Sequence, residues 1–507
     1  MRPAFKKEPL TVMKQHENKK PSITNNYIMN SLVNIFKLFL PLVTTPYISR
    51  RLGAQKLGIY SYCMSFRTFF VVIGALGIPL YAKREIASSR GDSEKLNRTF
   101  SELLTLQATT LLISIILYTV FIAAPNAQYR EIFLILEIEM LSEIVEVSWL
   151  YLGMENISLL LWRTVTFKSI FVVLIFLLVK SEEDLPLYTF SLVFANCFCN
   201  VWLFISSRKY AQYRLPPFEN VIRHLKPTIV LLLPDMVTKI YTIIDKTMLG
   251  ALSGNMSEVG FYEQSQKIVT LILTLATSLG AVLMPRLSLL YSEGKQEEFH
   301  GYMDKGCSMM CFISMPLAVG CFCVGYNLVP WFFGSGFDEV VGLLKIFSPM
   351  FVFMGLNDLI GVQAFVATRK ERRLLIVNVI TTVINLALNA LLIPRYLAAG
   401  AAVATVISEA VKCAIFLADG RSYLSISVVM TSALKYGAAA AAMGFALWRL
   451  QTTPLGVPSF THTLLLALCG GFLYAAILFL VRDRWMLKSL RAVFGVGRLT
   501  RNKLFRK

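Results

Sequence analysis

The sequence has few charged residues for its length. Asp, Glu, Lys and Arg make up 16% of 507 residues, whereas soluble globular proteins contain about 25%. This shortage argues against a soluble protein. The apolar residues form 55% of the chain, and they are gathered into blocks. Because roughly 20 apolar residues can cross the hydrocarbon core as a helix, the composition predicts an integral membrane protein built from helices.

Motifs of several enzyme classes are also missing. There is no Gly-x4-Gly-Lys-[Ser/Thr] loop for ATP phosphates and no Asp-x-Asp pair for a glycosyltransferase metal. The four histidines are too far apart in the sequence to suggest a metal site or a catalytic pair: His16, His224, His300 and His462. The nine cysteines lack CxxC spacing and lie mostly in apolar runs, which is typical of buried thiols. We therefore expect no cofactor, no metal and no enzymatic activity.

The apolar blocks predict an all-α integral membrane fold of about fourteen transmembrane helices. The fourth block is unusual because it contains Glu137, Glu139, Glu143 and Glu146, which are costly on a lipid-facing helix. We expect it to face protein or water. The predicted spans lie near 25–48, 57–80, 100–123, 131–152, 164–181, 187–206, 227–250, 259–284, 307–326, 341–367, 374–393, 401–417, 432–449 and 461–481.

Basic residues outnumber acidic ones, 50 to 31, and they concentrate in alternate loops at about five to one, the positive-inside pattern. This placement argues against nucleic-acid binding and predicts cytoplasmic N- and C-termini. The polar N-terminal segment and the apolar run after it show no signal-peptide cleavage site. The expected divisions are a basic cytoplasmic segment 1–24, an N-lobe 25–206 (helices 1–6), a cytoplasmic linker 207–226, a C-lobe 227–417 (helices 7–12), two further helices in 418–481, and a basic cytoplasmic tail 482–507 on the anionic inner leaflet.

An internal repeat supports the two lobes. The first copy reads Leu40-Pro41, Leu52-Gly53 and Leu57-Gly58-Ile59-Tyr60; the second reads Leu233-Pro234, Leu249-Gly250 and Val259-Gly260-Phe261-Tyr262. Duplicated halves around a central site are common in secondary transporters. The sequence therefore predicts two pseudo-repeated six-helix lobes around a central cavity.

Polar residues recur on single faces of the first two helices of each lobe. Ionisable residues at membrane depth are candidates for function, and these stripes predict a hydrophilic cavity. The candidate cavity residues are Asn30, Asn34, Lys37, Arg67, Asp235, Lys239, Asp245, Lys246, Glu263 and Lys267, with Asp358 on helix 10. Glu139, Glu143 and Glu146 are candidates for binding a coupling cation. The alternative is that these side chains snorkel to the interface or form structural ion pairs between helices.

A cationic cavity suits a phosphorylated lipid headgroup. Lys and Arg bind diphosphate through charge-assisted hydrogen bonds, and Asn and Thr side chains suit sugar hydroxyls. The headgroup of a lipid diphosphate-sugar needs such a polar route, while its tail can stay in the bilayer. Alternating exposure of the cavity would then move the headgroup across.

Several stretches resemble one family. Pro41–Phe66, PLVTTPYISRRLGAQKLGIYSYCMSF, resembles the first hairpin of the polysaccharide-transport (Wzx-like, oligosaccharide flippase) family. IYTIIDKTMLG from Ile240, EVGFYEQSQKI from Glu258 and MPRLS from Met284 resemble the matching hairpin of its second half. The resemblance implies the fold of the multidrug/oligosaccharidyl-lipid/polysaccharide exporter superfamily, two six-helix lobes forming a V. It also implies cationic residues on helices 1, 2 and 8, here Lys37, Arg67 and Lys267.

The function implied is translocation of an undecaprenyl-diphosphate-linked oligosaccharide across the bacterial cytoplasmic membrane for surface polysaccharide biosynthesis. The expected partners are the lipid-linked substrate, membrane lipids, a coupling cation (proton or sodium), and a polysaccharide polymerase and glycosyltransferases. One alternative is an ion-coupled multidrug exporter of the same superfamily, which would favour an acidic or aromatic cavity. A second is a membrane enzyme of lipid-linked glycan assembly, which would need a catalytic constellation or a large outer loop. A scaffold without transport would leave the intramembrane cations unexplained.

Overall fold

A computed structural model describes residues 23–280, 283–451, 458–483 and 485–487. These residues form helices and connecting loops and contain no β-strand. Nine helical segments among them are long and apolar enough to cross a membrane. The predicted all-α membrane fold is thus confirmed, while the number fourteen stays a prediction.

The first part of the chain forms helices α1 (Ile23–Ala75), α2 (Ile78–Ser88), α3 (Ser93–Tyr118), α4 (Arg130–Glu143), α5 (Ser148–Gly153), α6 (Ile157–Leu178), α7 (Leu185–Ser207) and α8 (Phe218–Ile222). The second part forms α9 (Leu225–Ser253), α10 (Met256–Gly280), α11 (Leu283–Ser292), α12 (Gln296–Phe333), α13 (Glu339–Phe347), α14 (Met350–Asn357), α15 (Phe365–Ala367), α16 (Glu371–Asp419), α17 (Ile426–Gln451) and α18 (Phe460–Leu480). Short π-helical segments follow α3 and α14.

Two of these long helices contain a non-helical residue that divides them. In α1 it is Gly53, with φ 70° and ψ 172°, a conformation that glycine adopts without steric cost. It separates the first two predicted spans. In α16 it is Leu397, with φ 52°, and the Glu258 carboxylate accepts the N–H of Ala398 at 3.0 Å just after the break. This break separates the eleventh and twelfth predicted spans.

The fourth predicted span, 131–152, is not one continuous helix. The helix stops at Glu143 and resumes at Ser148. Gln107 of α3 compensates for the break because its amide donates to the carbonyls of Glu143 and Glu146, both at 2.9 Å, and accepts from Trp149 Nε1 at 3.0 Å. Interrupted backbone at membrane depth is tolerated where protein satisfies its polar groups. The fourth predicted span is therefore an interrupted helix, and whether it crosses the whole membrane stays open.

The two copies of the repeat meet at their glycines. A Cβ on Gly58 would lie 1.7 Å from the carbonyl oxygen of Met256, and a Cβ on Gly260 would lie 2.0 Å from that of Ala54. Met256 precedes Gly260 by four residues, as Ala54 precedes Gly58. The contact is therefore reciprocal, as expected for related elements about a pseudo-two-fold axis, and small residues allow this close helix approach.

The last two long helices, α17 and α18, pack against α12. Phe312 of α12 contacts the rings of Tyr436 and Tyr474, with centroids 5.6 and 5.9 Å apart. The Tyr474 hydroxyl also donates to the Phe312 carbonyl at 2.9 Å. These helices therefore extend the second part of the molecule.

Candidate functional site: a cavity between the two repeats

A cavity of about 760 Å³ lies between the two repeats. Among its described lining residues, those from the first part of the chain are apolar or carry hydroxyls, and those from the second part include the charged groups. The first wall includes Leu40, Thr44, Thr45, Thr68, Phe171 and Tyr188; the second includes Thr242, Asp245, Lys246, Glu263, Lys267 and Thr270. The two repeats thus contribute different chemistry to one space.

A lysine–glutamate–lysine group forms the charged part of the wall. Glu263 of α10 accepts from Lys246 Nζ of α9 at 2.7 Å, and its other oxygen lies 3.7 Å from Lys267 Nζ one helical turn along α10. The Lys267 side chain is 37% exposed, compared with 19% for Lys246 and 16% for Glu263. The group carries one net positive charge, and Lys267 is its most accessible member.

Asp245 lies beside this group but faces into the protein. It is 1% exposed and accepts hydrogen bonds from Tyr262 at 2.6 Å, Thr405 at 2.8 Å and Asn389 at 2.6 Å. All three donors are neutral. Asn389 also donates to Asn385 one turn earlier, at 3.1 Å. Within the described part of the chain, Asp245 therefore has no ion-pair partner.

Sequence reasoning missed Asn385, Asn389 and Thr405 as neighbours of Asp245. The two asparagines are four residues apart in the otherwise apolar segment 374–393, so they share one helix face. That spacing was a usable signal, since polar residues in a span tend to face protein.

Arg67 is not among the described residues that line the cavity. It is 7% exposed, and its guanidinium lies 2.6 Å from Glu143 and 3.3 Å from Glu139. These contacts favour the alternative of a structural ion pair, and the role of Arg67 in the cavity stays a prediction. The helical geometry explains the difference: Arg67 follows Gly58 by nine residues, whereas Lys267 follows Gly260 by seven. Two residues turn a side chain by about 200°, so the two cations point in nearly opposite directions.

The acidic residues of the fourth predicted span belong to this internal network. Glu139 also accepts from Asn196 at 2.9 Å. Glu146 lies 3.9 Å from Arg163, which donates to Asn200 at 2.7 Å. Glu139, Glu143 and Glu146 therefore share two guanidiniums, and the set carries one excess negative charge.

The other predicted site residues are distributed as follows. Lys239 is an exposed residue of α9. Asp358 is half-buried in the π-helical segment after α14 and accepts from Gln363 at 3.3 Å; it follows the lining residue Met354 by one turn and is not itself among the described lining residues. The remaining candidates lie on α1 and α9, but their side chains are outside the described residues: Asn30, Asn34, Lys37 and Asp235.

One end of the cavity is closed by contacts between the repeats. Ser49 of α1 donates to the carbonyl of Phe333 at the end of α12, at 3.0 Å. The neighbouring Arg50 donates to the carbonyl of Trp331, and its side chain packs against Gly334. The Gly58–Gly260 crossing lies nearby on α1, just after the break at Gly53. We call the Ser49, Arg50, Trp331 and Phe333 contacts the end closure.

Two related helical halves around a central cavity that contains a charged group define a secondary-transporter architecture. The family model described as "Polysaccharide biosynthesis protein" matches residues 23–290, and that described as "Lipid II flippase MurJ" matches residues 160–467. The chain therefore belongs to the polysaccharide biosynthesis protein family, and it overlaps with the MurJ family.

Relatives and solved structures agree with this assignment. A "Putative O-antigen transporter" of Escherichia coli (strain K12) is 22% identical over 68% of this chain and 83% of that protein. The "Probable low-salt glycan biosynthesis flippase Agl15" of Haloferax volcanii is 22% identical over 78% and 83%. "Lipid II flippase MurJ, inward closed conformation" aligns with a TM-score of 0.75 at 17% identity, over 90% of this chain and 99% of the other. An inward-facing "multidrug resistance MATE family transporter" aligns at 0.58 and 15% identity, over 76% and 97%. These structures establish the fold.

Proposed function

We propose that the protein is a flippase, which moves an undecaprenyl-diphosphate-linked oligosaccharide across the membrane by alternating access, for surface polysaccharide biosynthesis. The observation that carries the proposal is the Lys246–Glu263–Lys267 group in the cavity. The protein belongs to a family of polysaccharide biosynthesis proteins, and its relatives are named as transporters and flippases, which supports the same conclusion.

The charged group suits a diphosphate. Glu263 supplies one negative charge to the two lysines, whereas a diphosphate supplies more charge and more acceptor oxygens. The headgroup can therefore replace Glu263 at Lys267, the more exposed lysine, and then at Lys246. Threonine hydroxyls on both walls, such as Thr44, Thr45 and Thr242, provide hydrogen bonds for sugars.

We place the protein in the bacterial cytoplasmic membrane with both termini in the cytoplasm, because the basic loops follow the positive-inside pattern. In this orientation the end closure is extracytoplasmic, so the cavity is closed toward the outside. The N-lobe 25–206, the linker 207–226, the C-lobe 227–417, the two helices in 418–481 and the basic tail 482–507 remain the proposed divisions. Glycosyltransferases would supply the glycan, and a polysaccharide polymerase would use it.

We further propose that a coupling cation, proton or sodium, acts at a buried carboxylate. Two candidates stand out among the described carboxylates: the set of Glu139, Glu143 and Glu146, which shares two guanidiniums, and Asp245, whose described donors are all neutral. A cation at Asp245 would raise the positive potential beside Lys246. To identify the group, the flipping rates of Glu143→Gln and Asp245→Asn are measured with and without a sodium or proton gradient. Only the variant that lacks the coupling carboxylate should lose its dependence on the gradient.

The direct test is flipping in liposomes that contain a fluorescent undecaprenyl-diphosphate glycan, whose accessibility is followed in the opposite leaflet. Lys267→Ala is expected to slow flipping at least tenfold, since a charge-assisted hydrogen bond contributes about 1.5–3 kcal/mol. Lys209→Ala, which removes an exposed lysine of the linker, is the matched control and should flip like the parent. If Lys267→Ala flips the lipid as fast as Lys209→Ala, the cavity lysines do not bind the headgroup during flipping.

A multidrug exporter is the second candidate, and one observation favours it. The cavity lining includes Glu263 and Asp245 together with Phe171, Tyr188 and Phe347, a combination that could hold an aromatic cation. The same liposomes distinguish the two functions. Export of a cationic dye without movement of the glycan lipid would replace the flippase proposal.

A further inference from the structure

A second cavity, of about 470 Å³, lies where α12 and α17 begin and α18 ends. It is separate from the cavity between the repeats and is lined by three cations and two carboxylates. Lys305 comes from α12, Lys435 from α17, and Arg482 from the turn after α18; the carboxylates are Asp304 and Asp483. With all five groups ionised, the cavity carries one net positive charge.

Both carboxylates are already occupied by donors that hold helix ends together. Asp483 accepts from Lys435 Nζ at 2.5 Å, from the Tyr436 hydroxyl at 3.1 Å, and from two backbone N–H groups of the segment that follows it at 2.8 and 3.0 Å. Asp304 accepts from the backbone N–H and the hydroxyl of Ser425, just before α17, at 2.7 and 2.9 Å. Asp483 therefore retains Lys435 in an ion pair, while neither carboxylate is paired with Lys305 or Arg482 among the described contacts.

The cations are placed to hold an anion at the rim. Lys305 and Arg482 are exposed, and the Lys435 side chain is 41% exposed beside its ion pair. A lysine can donate three hydrogen bonds and the arginine fork can donate two in parallel to a phosphate. The cavity is large enough for a phosphate ester, and its three cations suit the charge of one.

The surroundings of the cavity are apolar and face outward. Leu434 is 70% exposed, Leu480 80% and Val481 61%, and Arg482 follows directly. Exposed aliphatic side chains on a membrane helix contact acyl chains, so a ligand with a phosphate on an apolar tail matches both parts of the site. Basic pockets between transmembrane helices on the cytoplasmic side are known to bind anionic lipid headgroups.

We propose that this cavity is a binding site for the phosphate headgroup of an anionic bilayer phospholipid, held by Lys305, Lys435 and Arg482. The proposal differs from general attraction of the basic tail 482–507 to a negative leaflet, because it requires one discrete site between α12, α17 and the end of α18. It does not depend on the flippase activity.

The test uses Trp485, which lines the cavity, as a reporter. The full chain is reconstituted in phosphatidylcholine vesicles that contain either brominated phosphatidylglycerol or brominated phosphatidylcholine at the same fraction. Because the chain has six tryptophans, the Trp485 signal is the difference between each protein and its Trp485→Phe counterpart. We expect phosphatidylglycerol to quench Trp485 at a several-fold lower lipid fraction than phosphatidylcholine.

Two variants remove cations without disturbing the backbone. Arg482 has φ 52°, which asparagine tolerates, so Arg482→Asn is preferred to an alanine substitution. Lys305→Gln is the second variant. Each should reduce the preference for phosphatidylglycerol about fivefold, the effect of one cation near an anionic lipid. The double variant Arg498→Gln/Arg501→Gln removes two charges of the tail and should keep the preference.

The other outcomes overturn the proposal. Equal quenching by the two lipids means that no anionic lipid is selected. Loss of preference in the tail variant, but not in Arg482→Asn or Lys305→Gln, means diffuse attraction by the tail. If millimolar glycerol phosphate displaces the brominated lipid and relieves the quenching, the cavity is a site for a soluble phosphate ester.

Discussion

The reciprocal crossing of Gly58 and Gly260 makes a sharp prediction about stability. Gly58→Ala places a methyl group 1.7 Å from the Met256 carbonyl oxygen. An ordinary van der Waals contact begins at 3.4 Å, so direct separation would move the two helices apart by about 1.7 Å. The obstacle is backbone, which cannot change rotamer to relieve the clash.

The expected cost follows from two opposing contributions. Alanine in a helix gains about 0.5–1 kcal/mol over glycine, whereas overpacking costs about 1–3 kcal/mol. A clash with backbone belongs at the upper end of that range. We therefore expect Gly58→Ala to destabilise the protein by about 2 kcal/mol. Gly260→Ala should have a similar effect, because its methyl group would lie 2.0 Å from the Ala54 carbonyl oxygen.

The assay is thermal unfolding in detergent with a thiol-reactive fluorescent dye. The chain suits this assay because Cys63, Cys307 and Cys311 are completely buried and become reactive only on unfolding. Gly320→Ala is the matched control: a Cβ there meets nothing within 4 Å, so Tm should stay the same or rise. If Gly58→Ala and Gly320→Ala gave the same Tm, the close crossing of the repeats would be refuted.

Three further predictions concern the charged groups and the end closure. Glu263→Gln frees both cavity lysines, so the variant should bind the glycan lipid about tenfold more tightly, as measured by titration, and flip it more slowly in the liposome assay. Unchanged binding would contradict the role of Glu263 as the internal partner of the two lysines. Arg67→Gln leaves the buried Glu139 and the half-buried Glu143 without their cation and should cost about 3 kcal/mol, seen as a large fall in Tm; a Tm like that of the parent would show that the ion pairs contribute little. Arg50→Gln should weaken the end closure. The reporter is Thr45→Cys, at a cavity residue, in a chain whose other cysteines are replaced, and it should react faster with an impermeant thiol reagent added outside. An unchanged rate would mean that Arg50 does not help close this end.

Features that depend on local pattern were predictable. Apolar block length predicted a helical membrane protein, and the repeated Leu-Gly and Gly-x-Tyr stretches predicted related halves, whose glycines indeed meet reciprocally. The stripe on the eighth predicted span, which is α10 in the structure, placed Glu263 and Lys267 on one face, and both line the cavity. In each case a periodicity of the chain determines the result without knowledge of neighbouring helices.

Features that depend on which neighbour a helix face meets were not predictable. Arg67 lies in an apolar span like Lys267, but its partners, Glu139 and Glu143, come from a helix 70 residues later in the chain. The break after Glu143 likewise depends on Gln107 of α3. A helical periodicity identifies residues that share a face, but it does not identify the element against which that face packs.

The two repeats have kept a common backbone and have divided the chemistry between them. Gly58 and Gly260 make the same contact in each half, yet the cations differ. Arg67 is consumed by ion pairs inside its own half, while Lys246 and Lys267 face the cavity. Among the described residues, the cations of the cavity therefore come from the second half, where a headgroup would bind, while the described wall of the first half offers threonine hydroxyls and apolar side chains. Such an arrangement favours a cycle in which one half holds the substrate while the end closure opens and the other half rocks away.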